Sequence, residues 1–227
     1  MKNIINLMMN DLVLCRNFFL VTLPIIIFMN FMGVEFCTSG EQRCIFLYII
    51  FIASYMLISY IEQSITKNKS NMFIYSLPIE KNNIVLEKYL FVISISIINW
   101  TICILGTIIF SSILKIPFIN DIYSVRNLIL NTTLIFIYYS IYYPIYFKLG
   151  VNKLNLLNRC INIIIFLLPS MIKRLLNSLN ISLEYFYTQI NFIQDKFLWI
   201  ILFDIIIVTI SVYISMIIHK NKAIMYE

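Results

Sequence analysis

Histidine occurs once in this 227-residue chain, at His219, and no two of the five cysteines stand as C-x-x-C. That excludes a metal site built on the usual His and Cys spacings. There are only four glycines, Gly33, Gly40, Gly106 and Gly150, none in a G-x-x-x-G pair, so close helix packing through that motif is excluded too. The chain has no G-x-x-x-x-G-K-[ST] loop and therefore does not bind ATP by that route. It also has no H-E-x-x-H, no G-x-S-x-G and no nucleophile beside a plausible base, which argues against an enzyme. Charged residues make up only 12%, and no basic stretch has the length or aromatic interleaving of a nucleic-acid groove.

What the chain does have is apolar residues, 61% of the total. A soluble domain of this length cannot hide that much apolar surface, so lipid must solvate much of it. A hydrocarbon core about 30 Å thick needs roughly 20 apolar residues per helix. Six runs qualify, at about 18–34, 45–61, 90–113, 128–147, 155–172 and 197–218. The runs are continuous rather than alternating, and barrel strands are about half as long, so the expected fold is all-α and polytopic. The fifth run is thinned by Asn155, Asn158, Arg159 and Asn162 and interrupted by Pro169. The first run is preceded by a long mixed segment and followed by no small-residue cleavage pattern, so it is expected to remain as a signal anchor.

The net charge of +6 acquires meaning when read loop by loop. With the N-terminus inside, the cytoplasmic segments hold Lys2, Arg16, Lys67, Lys69, Lys81, Lys88, Lys148, Lys153, Arg159, Lys220 and Lys222. The outer segments hold Arg43, Lys115, Arg126, Lys173, Arg174 and Lys196. This is the bias of the positive-inside rule, and an even number of spans also puts both termini in the cytoplasm of a plasma-membrane protein. Cys37 and Cys44 flank the first outer loop, either as a pair or, like Cys15, Cys103 and Cys160, as small apolar residues.

Residues 1–17 read as a separate piece. At 3.6 residues per turn Ile4, Met8, Leu12, Cys15 and Phe19 share one face, and Asn3, Asn6, Asn10 and Asn17 lie opposite. Such a helix suits the headgroup plane, or else extends the first span. Residues 18–218 would form the membrane domain and 219–227 a cytoplasmic tail. The outer segment 173–196 is too apolar for a solvated loop and is expected to dip into the leaflet or cap the bundle.

The cytoplasmic segment 62–89 is the stretch least dictated by lipid. Pro78 fixes its own φ and biases Leu77 toward extended geometry, so the chain turns there. Asn82 or Asn83 can cap the helix that follows, and Glu87 suits its positive end. The expected product is a rigid elbow running into the third span, able to pass force from a soluble partner to the membrane helices. An ordinary polar loop with a helix start is the plainer reading.

Ser76, Leu77, Pro78, Ile79, Ile84, Val85, Lys88, Tyr89 and Leu90 form a pattern that resembles the loop of type-two ATP-binding-cassette exporter permeases, the compact six-span kind. The layout is similar over the whole chain, and the motif covers about fifteen residues, Ser76–Leu90. Lys81 stands where arginine is commoner and Asn83 where an acid is commoner. A lysine offers a point charge rather than a bidentate fork. The resemblance implies coupling to a separate cytoplasmic ABC ATPase through Ser76, Leu77, Pro78, Ile79, Lys81, Ile84, Val85 and Lys88. It also implies pairing with a second permease subunit, homo- or heterodimeric, and export from the cytoplasm. ATP and Mg would then sit on the partner, with no cofactor on this chain.

Two intramembrane features bear on a pathway. Asp204 lies inside the sixth run, where an aspartate costs roughly 2.5–3.5 kcal/mol and is expected to face a bundle interior or aqueous cavity, or to be a hydrogen-bonded packing residue. Tyr138, Tyr142 and Tyr146 share a face of the fourth run, with Tyr139 and Tyr143 beside them. They read either as an interfacial aromatic belt or as the lining of a path for an amphipathic or hydrophobic cargo, peptide being the first expectation. A non-transporting immunity or sensor subunit and a proton-coupled carrier using Asp204 are the alternative functions.

Overall fold

The computed structural model describes residues 2–36, 39–67, 80–114, 125–150 and 196–224, with isolated helical positions between 161 and 178. The described helices are α1 (Lys2–Phe36), α2 (Ser39–Lys67), α3 (Lys81–Leu114), α4 (Val125–Leu149) and α5 (Phe197–Ile224). No strand occurs among the described residues. Isoleucine-rich segments have no strong intrinsic helix preference, because the branch at Cβ restricts χ1. In lipid, however, every backbone N–H and C=O must be satisfied within the segment, which forces the helix. The hydroxyls obey the same rule. Thr22 donates to the Phe19 carbonyl at 3.1 Å, Ser96 to Ile93 at 2.8 Å and Thr107 to Ile104 at 2.8 Å.

Three helical stretches are long and apolar enough to cross a membrane, Asn82–Ile113, Leu128–Leu149 and Phe197–Asn221, and a bent pair within α1 makes a fourth if it counts as one span. Their outward faces carry large apolar side chains, among them Leu105, Ile109 and Ile113 on α3, Ile141 on α4 and Leu202, Ile206 and Ile210 on α5. The fifth run, 155–172, and the apolar segment 173–196 lie largely outside the described residues, as does Cys37. α1 bends by 53° between Ile4–Leu14 and Phe18–Phe28, which separates a short first arm from the rest of the helix.

Contacts fix the helix directions. Phe18 on α1 stacks on Tyr60 of α2 at 4.1 Å, and Ile26 packs with Ile49, Ile50 and Ala53, so α1 and α2 are antiparallel. Asp11 meets Lys88, and Phe31 meets Phe110, so α1 and α3 are parallel. Asp204 meets Thr133, Ser211 meets Ser140 and His219 meets Phe147, so α4 and α5 run parallel and nearly in register. The start of α1, the end of α2, the start of α3 and the ends of α4 and α5 therefore share one end of the bundle. A large apolar core sits there, built on Leu57, Ile61, Val85, Phe91, Ile135 and Tyr143. A smaller cluster around Ile26, Ile49, Ala53 and Cys103 fills the opposite half.

Phe91 is fully buried in the larger core and Ile108 is exposed on the outer face of the same helix. Phe91→Ala should cost about 3–5 kcal/mol of stability. Ile108→Ala should stay within about 0.5 kcal/mol. Thermal unfolding of the two purified variants in one detergent measures the contrast.

Candidate functional site

Four buried charged side chains, Asp11, Glu62, Glu87 and Lys88, gather about the start of α3. Glu80 precedes the helix, and its carbonyl accepts the Asn83 N–H at 2.9 Å. Asn82 and Asn83, expected as caps, therefore lie inside the first turn. Glu87 lies beyond that first turn, where the helix dipole has faded, and it packs beside Lys88 instead. The Lys88 ammonium donates to Asp11 Oδ2 at 2.5 Å and stands 3.6 Å from Glu87 Oε2. Relative exposures are 3% for Asp11, 1% for Glu62, 2% for Glu87 and 7% for Lys88, so these charges are out of solvent. A buried charge is tolerable only when paired and hydrogen-bonded. Lys88 and Asp11 satisfy that requirement in each other, and the Tyr142 hydroxyl donates to Glu62 Oε2.

The neighbouring residue ties α3 to α5. Tyr89 Oη lies 2.5 Å from Ser211 Oγ and 3.1 Å from Ser215 Oγ. Ser211 donates its own proton to the Ser140 carbonyl at 2.7 Å. A hydroxyl has one proton, so Tyr89 donates to Ser211 and Ser215 donates to Tyr89. The Ser140 carbonyl is available for a local reason. Pro144, four residues on, has no N–H to offer it, and the freed acceptor is satisfied from the neighbouring helix. The Tyr143 hydroxyl adds a longer bond, 3.4 Å, to the Lys88 carbonyl. Lys88 and Tyr89 together thus reach α1, α4 and α5.

Of the residues expected to couple to a partner, Ile84, Val85 and Lys88 point into the bundle and are buried. α3 begins at Lys81. Ser76, Leu77, Pro78 and Ile79 lie outside the described residues. Tyr142 and Tyr146 are buried and Tyr138 is half-buried, in a continuous ring array with Tyr139 and Tyr143. Tyr138 also meets Tyr55 edge to face, with ring centroids 5.4 Å apart. Asp204 sits apart from this cluster, toward the start of α5, and accepts from Thr133 Oγ1 at 2.8 Å through Oδ2. Among the described residues its Oδ1 has no partner. His219, assigned to a tail, is instead buried in α5 with its ring 5.0 Å from that of Phe147.

Sequence reasoning did not single out Asp11 or Glu62. A signal existed for both. At helical spacing Asp11 falls beside the Met8–Leu12–Cys15 stripe and far from the asparagines, and Glu62 follows Ile58 by one turn.

A bundle with lipid-facing apolar flanks and a buried ion pair inside one end is a multi-pass membrane protein. A family model described as ABC-2 family transporter protein matches residues 6–220, and the chain belongs to that family. It is thus a permease subunit of an ABC transporter, from a family that lacks the ATPase domain and whose members generally partner an ABC ATPase. No curated protein and no solved structure matches the chain.

The proline-freed carbonyl makes a coupled prediction. Ser211→Ala orphans that carbonyl and leaves Tyr89 with Ser215 alone, and should cost about 1–2 kcal/mol. In a Pro144→Ala background the helix supplies its own N–H, and the same substitution should cost less than half as much. A double-mutant cycle on thermal or denaturant stability checks the non-additivity.

Proposed function

We propose that the chain is one permease half of an ATP-driven exporter that moves an amphipathic or hydrophobic cargo, a peptide first of all, out of the cytoplasm. The observation that carries this reading is the family match over residues 6–220, joined to the anchoring of α3 beside the 62–89 segment. The partner would be a cytoplasmic ATPase holding ATP and Mg, and a second permease subunit would complete the pathway.

The parallel directions of the neighbouring helices α4 and α5 support six spans, with the chain between them returning across the bilayer. The apolar run 155–172 is the segment to do so. Both termini and the elbow then share the cytoplasmic side, as the lysine and arginine bias favours. The 53° bend in α1 supports a first arm lying in the interface before the first span.

The burial of Ile84, Val85 and Lys88 divides the elbow's work. These three hold it to the bundle, and Ser76, Leu77, Pro78, Ile79 and Lys81 are left to meet the ATPase. Tyr138, Tyr142 and Tyr146 would line the cargo's path once α2 and α4 separate, and Asp204 would flank it nearer the outer side. The amphipathic tyrosine surface supports a cargo with both apolar and hydrogen-bonding groups.

Replacing Ser76–Ile79 by four glycines should abolish copurification of the ATPase while leaving thermal stability unchanged. Retention of the ATPase by that variant contradicts the assignment of the elbow. In inside-out vesicles, uptake of a mixture of fluorescent hydrophobic peptides should need ATP and survive collapse of the proton gradient. Uptake that needs the gradient and not ATP would instead favour a carrier working through Asp204, and Asp204→Asn should then stop it.

A further inference from the structure

The first arm of α1, Ile4–Leu14, lies beyond a 53° bend from the rest of that helix. The second arm is held to α2 by the Phe18–Tyr60 stack and by Ile26. The first arm reaches α3 through a different kind of contact. Leu7 is buried and Met8 and Leu12 pack on the inner core, but apolar packing gives little preference for one neighbour over another where the surrounding solvent is lipid. Asp11 and Lys88 do discriminate. Each is a buried charge, and parting them leaves Asp11 without its cation and Lys88 with only the longer Glu87 contact, both out of water.

We infer that the Asp11–Lys88 ion pair is a positioning device that makes the first arm of α1 and the start of α3 move as one body. Lys88 is held from its other sides as well. Glu87 neighbours its ammonium, and the Tyr143 hydroxyl bonds its carbonyl. Tyr89 ties the next residue to α5. Any displacement delivered through the 62–89 segment therefore reaches the interfacial arm at the same moment as α4 and α5. The significance for transport rests on the permease reading. The clamp itself does not, and it can be tested on the chain alone.

Asn6 on the first arm and Asn82 on α3 are both exposed and can carry spin labels without touching the pair. In nanodiscs of phosphatidylcholine and phosphatidylglycerol, the label-to-label distance distribution of the otherwise unsubstituted chain should be narrow. Asp11→Asn should at least double its width. The double variant Asp11→Leu with Lys88→Met separates positioning from stability. Two apolar groups replace two charges, though Glu87 loses its cation, so the unfolding midpoint should recover part of what Asp11→Asn loses, yet the distribution should stay broad. A wild-type distribution as broad as that of Asp11→Asn overturns the clamp, and so does a narrow one in the double variant. Copurification of an ATPase is scored separately. A narrow distribution in a chain that binds no ATPase would sink the permease reading and leave the clamp standing. A broad one in a chain that does bind it would sink the clamp alone.

Discussion

A charged group inside a lipid-embedded bundle has few places to be, and that constraint organises this molecule. Lys88 is buried at the start of α3, where it needs a carboxylate, and Asp11 on the first arm of α1 is the group at 2.5 Å. Breaking such a buried pair by removing one partner costs about 3–5 kcal/mol. An interhelical hydrogen bond in a membrane bundle averages about 0.6 kcal/mol. Losing one member of the ion pair therefore costs more than breaking any single one of the hydroxyl links around it. It sits where the 62–89 segment enters the bundle, so the contact costliest to break on one side lies at that junction.

The weaker links extend that point of attachment. Pro144 removes one backbone donor from α4 and so exposes the Ser140 carbonyl to Ser211. Ser211 is in turn free to accept from Tyr89, one residue past Lys88. A residue that by itself weakens its helix becomes the reason two parallel helices hold their register. The same logic explains the tyrosines. Their rings fill a core that small residues would leave open, while hydroxyls such as those of Tyr142 and Tyr89 reach polar partners that apolar side chains would orphan.

Much of this was legible in the residues and some was not, for physical reasons. Long apolar runs define helices whatever they pack against, so the runs at 90–113, 128–147 and 197–218 reappear as α3, α4 and α5 with their ends extended. The ends moved because polar residues such as Glu87, Lys88 and His219 continue a helix when tertiary partners take their side chains, which periodicity does not report. The Ser76–Leu90 motif was readable, but not that Ile84, Val85 and Lys88 would face inward, since a helix start shows its buried side only once its neighbours are in place. Asp11 was hidden by its surroundings. Four asparagines drew attention to the polar stripe, and the lone acid bordering the apolar stripe was the residue that mattered. Asp204 was visible because a charge in an apolar run must face the bundle or a hydrogen-bond partner, and its bond to Thr133 gives it a local partner.

The account depends on the elbow and both termini lying on the cytoplasmic side, with a return crossing between α4 and α5. The most direct test is a membrane-impermeant maleimide applied to intact cells, with single cysteines at Pro78 and at Asp195 in a cysteine-free background. Labelling at 195 on intact cells, and at 78 only after permeabilisation, is the required result. Labelling at 78 from outside, or of both positions on the same side, would contradict it.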